Sequence, residues 1–222
     1  MRRLLGGMRS GGDKRRSHLK PFLIPKIYTS EGHPSNVMNL SEWRARLESE
    51  RKQKDWFFAV NPRSPIPPGK REDFGGLEYY PPNSECRFEL KLHEYNEKKT
   101  LRMTATSGGE QEYIRWGEFR FRLGGEEYRL QAYKRDPREQ RLFVPFRDAT
   151  SGRETYGAGR YIDLDPERHS VDGGRWILDF NEAYNPFCAY SKAYTCPLTP
   201  LENWLDIPIE AGEKKYASDV GH

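Results

Sequence analysis

Apolar and polar residues alternate strictly on both sides of a glycine pair, and this pattern restricts the fold more than any other feature of the chain. The apolar positions that share the period of two are Phe119, Phe121, Leu123, Tyr128, Leu130 and Ala132. Such a period places them on one face of two strands, and a Gly124-Gly125 loop fits a primed two-residue turn. The sequence therefore predicts an antiparallel hairpin that pairs Phe121 with Tyr128 and Arg120 with Arg129.

The predicted register sets two like charges side by side, since Arg120 faces Arg129. Like charges directly opposite each other destabilise a strand pair unless another group compensates them. One interpretation is an anion-binding face. The other, which we favour, is neutralisation by the diagonal acids Glu118 and Glu127.

Further alternation predicts a domain that is all-β and mainly antiparallel, arranged as a barrel or a two-layer sandwich. The other predicted strands are 88–92 and 101–105, joined as a hairpin by 96–99, then 142–146, 160–164 and 175–181. The 20 Gly, 16 Pro and 13% aromatic residues also favour strands joined by turns.

One surface helix is predicted before the strands. Ser41 can cap its amino end, and good helix formers continue to about Lys54. Its apolar stripe is limited to Trp43 and Leu47. We expect these two residues and the apolar run 56–58 to anchor the helix, with its Lys and Arg side chains in solvent.

Residues 181–204 form a long segment without helical or strand periodicity. They contain Pro186, Pro197 and Pro200 together with three tyrosines and two cysteines. A loop of this length in a compact domain is usually functional or packed as a cover. We therefore expect a long ordered C-terminal loop over one end of the β domain.

Positive charge is concentrated in residues 1–37, which carry eight Lys or Arg against two acidic residues. The whole chain has a net charge of +4, so residues 38–222 are slightly acidic. This argues against nucleic-acid binding by the body and leaves only a weak contribution from the tail. We expect 1–37 to be a disordered basic tail, or to lie upstream of a true start at Met38, and 38–222 to be a single β domain.

The sequence also restricts the expected cellular location of the protein. No stretch approaches the roughly 20 apolar residues that cross a membrane, and three cysteines are too few for a disulfide framework. We therefore expect a cytoplasmic protein without membrane contact. The sequence indicates neither a cofactor nor an oligomeric state.

Arg160 is the strongest candidate for a functional group. Alternation along its strand points it inward with Ile162 and Leu164, and a buried guanidinium requires a carboxylate and other acceptors. The candidate carboxylates are Asp148, Glu154 and Glu213. Either Arg160 binds the carboxylate or phosphate of a small ligand, or it forms a structural ion pair, which is the commoner arrangement.

Other polar residues in the same third of the chain could complete a site. Asp179 and Asn181 lie opposite the apolar face of their strand, so they face either solvent or a cavity under the 181–204 loop. Two of the acids Asp148, Glu154 and Asp179 would form an acid–base pair if they converge. The further hydrogen-bonding candidates are Tyr156, Tyr184 and Asn185.

Cys188 and Cys196 leave four interpretations open. Cys188 could be a nucleophile, but then His93 or His169 must approach it through the fold. The wide spacing of the two cysteines does not match a zinc site, so no metal site is predicted. A disulfide and a pair of buried, inert thiols are the other two interpretations.

Four motifs stand out in the same region. They are FRDATSGRETYGAGRY at 146–161, LDFNEAYNPFCAY at 178–190, CPLTPLEN at 196–203 and AGE at 211–213. Together they resemble an uncharacterised prokaryotic family, domain of unknown function 1684, from about Leu40 to about Lys215. The resemblance implies a soluble single-domain protein of unknown activity and supplies no catalytic residues.

Two hypotheses about function follow. In the first, the chain binds or acts on a small polar, anionic ligand in a pocket between the end of the β domain and the 181–204 loop. The groups that would supply chemistry are Asp148, Glu154, Asp179 and Cys188, and those that would bind the ligand are Arg160, Tyr156, Asn181, Tyr184, Asn185 and Glu213. In the second, the chain is a non-catalytic structural or interaction module whose polar residues only stabilise the fold. A pocket around Arg160 would favour the first hypothesis, and mutual hydrogen bonding of these groups the second.

Overall fold

The computed structural model describes residues 39–216, which contain eight β-strands in two antiparallel sheets and one long helix. The elements are α1 (Leu40–Val60), β1 (Arg87–Lys91), β2 (His93–Thr104), β3 (Glu110–Leu123), β4 (Glu126–Lys134), β5 (Leu142–Phe146), β6 (Arg160–Leu164), α2 (Pro166–His169), β7 (Ser170–Val171) and β8 (Arg175–Asp179). The tail expected at 1–37 lies outside the described residues.

The two sheets pack against each other as a sandwich-like pair. The larger has the strand order β2-β3-β4-β5-β6 and the smaller the order β1-β8-β7. Neither sheet closes on itself within residues 39–216, so the sandwich rather than the barrel describes the fold. Phe88 of β1 and Phe121 of β3 meet between the sheets with ring centroids 5.0 Å apart, and Phe180 contacts both rings. One apolar core therefore lies between the two layers.

The β3–β4 hairpin has the register predicted from the sequence. Phe121 pairs with Tyr128 and Arg120 pairs with Arg129. The turn glycines at 124–125 have φ angles of 61° and 91°, in the region that favours glycine over other residues. Local alternation and the glycine pair were sufficient to predict this element.

The facing arginines of this hairpin are neutralised along their own strands. A guanidinium nitrogen of Arg120 lies 2.6 Å from the carboxylate of Glu118, and one of Arg129 lies 3.5 Å from that of Glu127. Glu118 and Glu127 therefore neutralise the two arginines, as we favoured, but each acid pairs along its own strand and not diagonally across the hairpin as predicted.

The hairpin predicted from 88–92 and 101–105 is wrong. β1 pairs with β8 in the smaller sheet, whereas β2 pairs with β3 in the larger sheet, so the chain changes sheets at Leu92. The turn predicted at 96–99 instead lies inside β2, where the register with β3 shifts between Glu94 and Lys99. Alternation identifies which side chains share a face, but it does not identify the partner strand.

Helix α1 begins and ends outside its predicted limits. Asn39, not Ser41, is the amino-terminal cap, because its side-chain oxygen accepts hydrogen bonds from the backbone N–H groups of Ser41 and Glu42. The helix continues past Lys54 to Val60. It is therefore long enough to carry buried contacts at both ends.

The buried face of α1 differs from the predicted anchor at one position. Trp43, Leu47, Phe57 and Phe58 are buried, whereas the Trp56 side chain is 67% exposed. Although α1 is long, no helix among the described residues is both long and apolar enough to cross a membrane.

Residues 181–204 come after the last strand, β8, and form no regular strand. They contain or overlap short 3-10 turns at Phe180–Glu182, Phe187–Ala189 and Leu201–Asn203. Single bridges join Tyr184 to Tyr161 of β6 and Pro197 to Ala105, which directly follows β2. These contacts bring motif residues of the segment beside β6 and the end of β2, which are the two outermost strands of the larger sheet.

Candidate functional site

The Arg160 side chain points inward from β6 and is completely buried. Its guanidinium donates to the backbone carbonyls of Ala211 (2.5 Å), Ile209 (2.9 Å) and Glu213 (3.3 Å), and to the carboxylate of Asp148 (3.4 Å). Burial lowers the pKa of Arg160 and the Asp148 charge opposes this, yet a guanidinium stays protonated in proteins. The inward orientation predicted for Arg160 is confirmed, and its acceptors are groups of the protein itself.

Asp148 lies in the loop after β5 and is also buried. Besides Arg160, its carboxylate accepts hydrogen bonds from the backbone N–H of Ile209 (2.7 Å) and the hydroxyls of Thr150 (2.9 Å) and Ser151 (3.1 Å). These contacts tie the loop after β5 to the C-terminal segment. Of the three predicted carboxylate partners, Asp148 is the one that pairs with Arg160.

The Glu213 side chain instead binds α1 and the 181–204 segment. Its carboxylate accepts from the Lys54 ammonium (2.5 Å), the Asn185 amide (2.9 Å) and the Tyr190 hydroxyl. Burial alone would lower the pKa of Lys54, but the charge and hydrogen bond of Glu213 outweigh it and raise that pKa. Glu213 therefore reaches Arg160 only through its backbone carbonyl, and its carboxylate forms a second ion pair with the part-buried Lys54.

Asp179 and Asn181 are covered by α1. The indole N–H of Trp43 donates to Asp179 (2.7 Å), and the Asn181 amide donates both to Asp179 (2.8 Å) and to the backbone carbonyl of Asn83 (2.7 Å). Burial raises the pKa of the Asp179 carboxyl. Both residues are 1% exposed, so they face neither solvent nor an open pocket.

Glu154 and Tyr184 have separate partners. The Tyr80 hydroxyl donates to Glu154 (2.7 Å), whose side chain lies at the surface. The Tyr184 hydroxyl donates to Asp163 (2.8 Å). These two predicted site residues therefore contribute to local hydrogen bonds, not to the contacts around Arg160.

Tyr156 is in contact with Cys188, and Cys196 is bound to the chain that follows β2. The Tyr156 hydroxyl lies 3.6 Å from the sulfur of Cys188, and the backbone of Cys196 is hydrogen-bonded to Thr106 (3.2 and 2.9 Å). Of the two histidines proposed as a base for Cys188, His169 is engaged elsewhere, since its Nε2 lies 2.8 Å from the Glu182 carboxylate, and His93 lies exposed at the start of β2. Both cysteines are free thiols.

The sequence patterns did not identify two residues that form interior hydrogen bonds, the part-buried Lys54 and the buried Asn203. Lys54 was expected in solvent, although it follows the buried Leu47 by seven residues and therefore lies on the same face of α1. Asn203 is completely buried and bridges β4, β5 and the 181–204 segment. The spacing from Leu47 could have identified Lys54, whereas no local pattern marks Asn203.

The arrangement offers neither a metal centre nor a pocket at Arg160. Among residues 39–216, no three His, Cys, Asp or Glu side chains are grouped as ligands for a metal ion. Two surface clefts of this region have volumes of about 130 and 400 Å³, and neither is lined by Arg160, Asp148 or Asp179. The predicted site residues are joined mainly to one another and to the backbone.

These features define an antiparallel β-sandwich protein in which most of the polar motif residues are hydrogen-bonded to other groups of the protein. Residues 72–214 match the family described as Protein of unknown function (DUF1684), and the chain belongs to that family, as the four motifs indicated. The solution NMR structure of the uncharacterized protein from gene locus rrnAC0354 of Haloarcula marismortui is similar to it. The two share 39% identity and a TM-score of 0.62, over 82% of this chain and 97% of that one. No curated protein matches the chain.

Proposed function

We propose that the chain is a non-catalytic interaction module whose polar motif residues stabilise the fold. The observation that carries this proposal is the hydrogen bonding of Arg160, which is 0% exposed and donates through its two terminal nitrogens to three backbone carbonyls and to Asp148, while its buried Nε has no partner among the described residues. Mutual hydrogen bonding is the arrangement that the module hypothesis requires. The proposal takes residues 38–222 as one domain, and the three free thiols support a cytoplasmic location.

The competing hypothesis is a small anionic ligand held by Arg160. Such a ligand would have to displace the carbonyls of Ala211 and Ile209 and would meet the negative charge of Asp148 next to its own. Each displaced carbonyl would then be buried without a partner, which is unfavourable. The observed contacts therefore disfavour anion binding at this position.

Thermal unfolding in the presence of small anions tests the two hypotheses. We expect sulfate, phosphate and citrate to change the melting temperature no more than sodium chloride at matched ionic strength, because Arg160 has no free donor facing solvent. A saturable rise with one anion, lost in Arg160→Lys, would instead support a ligand site. Arg153→Lys, at an exposed arginine of the same motif, is the matched control.

An exposed apolar pair marks the face through which the module would act. Leu201 is 74% and Trp204 48% exposed, and a 3-10 turn places residues three apart on the same side. The Arg147 guanidinium lies 4.1 Å from the centre of the Trp204 ring, and the indole N–H donates to the Thr199 carbonyl (3.1 Å). Rigid Trp and Arg groups are typical of the residues that dominate protein–protein binding energy.

Site-specific photo-crosslinking tests this contact face. With a photoreactive amino acid at position 201, we expect a defined protein adduct in cells that produce the full chain, because the side chain there is largely exposed. The same probe at the exposed Lys192 of the neighbouring loop should give only background. Equal adducts from both positions would contradict the proposed face.

A further inference from the structure

Two of the sequence motifs meet beside the exposed Trp204. Arg147 belongs to the motif FRDATSGRETYGAGRY, and Asn203 ends the motif CPLTPLEN. The Arg147 N–H donates to the Asn203 carbonyl (3.0 Å), and the Arg147 carbonyl accepts from the Leu205 N–H (2.8 Å). These backbone hydrogen bonds hold Arg147 and Trp204 next to each other on one surface.

The Arg147 guanidinium is stacked on the Trp204 ring, 4.1 Å from the ring centre. Among residues 39–216, no group forms a hydrogen bond or an ion pair with this guanidinium. The ring itself is fixed, because its indole N–H donates to the Thr199 carbonyl (3.1 Å). A guanidinium stacked on an aromatic ring keeps its N–H groups free to bind a carboxylate through two parallel hydrogen bonds. Arg147 therefore presents unused donors in a fixed position.

The nearest acid in the sequence is already paired. The Glu202 carboxylate binds the Arg115 guanidinium and accepts from the Tyr133 hydroxyl (3.0 Å), so Arg147 keeps an uncompensated positive charge. A run of phosphates, as in a nucleic acid, would bring many negative charges toward Glu202 and the exposed Asp206. Charge complementarity at this surface is thus limited to a single carboxylate, which favours a protein partner over a nucleic acid.

We propose that this surface binds a protein segment that carries one Asp or Glu beside an apolar side chain, an inference that rests on the proposed interaction function. The carboxylate binds the Arg147 guanidinium, and the apolar side chain packs on Leu201 and Trp204. The apolar contact excludes water from the ion pair and so strengthens it. Because the ring and the guanidinium are held in place before binding, little of their freedom is lost on association.

An array of short synthetic peptides of random sequence, probed with the labelled full chain, tests the class of partner. We expect the bound peptides to be enriched in sequences with an acidic residue next to a large apolar one. In Arg147→Gln this preference should vanish, and the affinity for a selected peptide should fall about ten-fold, because a charge-assisted hydrogen bond is lost. Arg153→Gln, at an exposed arginine of the same motif, should bind like wild type.

A second variant makes the test independent of the folding of Arg147→Gln. Leu201→Ser replaces a side chain that is 74% exposed, and it should weaken acidic and neutral apolar peptides by the same factor. Bound peptides without an acidic preference, or with a preference unchanged in Arg147→Gln, would overturn the inference. Tighter binding of a single-stranded oligonucleotide than of any peptide would overturn it as well, as would a dimer of the chain that Leu201→Ser dissociates.

The photo-adduct from position 201 separates this inference from the proposed function. An adduct that forms in cells and is lost in Arg147→Gln, but not in Arg153→Gln, supports both. An adduct that is unchanged in Arg147→Gln leaves the contact face in place and overturns the inferred carboxylate. Absence of both the adduct and any bound peptide overturns the proposed function together with the inference.

Discussion

Asp148→Asn is expected to destabilise the protein by about 3–5 kcal/mol, because it leaves a buried cation without its counter-ion. The substitution preserves the shape of the side chain, removes its charge and replaces one acceptor oxygen with an amide donor. Arg160 cannot respond by losing its proton and has no route to solvent, since it is 0% exposed. Urea unfolding followed by tryptophan fluorescence measures the free energy of unfolding, with Trp43 packed beside Asp179 as one reporter.

Two further variants show that the effect comes from charge. Ser151→Ala removes a neutral donor to the same carboxylate, so we expect a loss of only about 1 kcal/mol. The double variant Asp148→Asn/Arg160→Met should be less destabilised than the sum of its single variants, because it removes both charges of one pair. Additive single effects, or equal losses in Ser151→Ala and Asp148→Asn, would contradict a buried ion pair.

The contrast between the two predicted hairpins shows what local sequence can specify. In the β3–β4 hairpin, the two-residue glycine turn leaves one register in which both apolar faces coincide, so alternation and turn geometry together specify the pairing. Between β1 and β2 no such turn exists. The apolar faces of both strands were predicted correctly. However, β1 pairs with β8, which comes much later in the chain, and β2 pairs with β3 in the other sheet.

The same limit applies to the candidate site. Alternation predicted that Arg160 points inward, yet Asp148, Glu154 and Glu213 were equivalent as partners because all three are carboxylates. The structure uses the carboxylate of Asp148 and only the backbone of Glu213. Which group is used depends on the path of residues 209–213 past β6, and no pattern in the sequence specifies that path.

Asn203→Ala should destabilise the protein by about 3 kcal/mol or more, since three buried backbone groups would each lose a hydrogen bond. The Asn203 amide donates to the carbonyls of Gln131 (2.9 Å) and Pro145 (2.6 Å), and its oxygen accepts from the Gln131 N–H (2.7 Å). No solvent can replace these bonds, because Asn203 is 0% exposed. Chemical denaturation of wild type and variant measures the difference in the free energy of unfolding.

Asn203→Asp separates loss of hydrogen bonds from loss of packing. The introduced carboxyl keeps the size of asparagine and the acceptor for Gln131, but when ionised it turns an oxygen toward two carbonyls. Burial and these carbonyls raise its pKa in the folded state above the unfolded value, so the folded protein binds the proton more tightly. Stability should therefore be greatest at or below the ordinary carboxyl pKa and should fall as the pH rises toward the raised value. The loss in Asn203→Ala should stay nearly constant with pH, and parallel pH profiles of the two variants would show that Asn203 acts through packing alone.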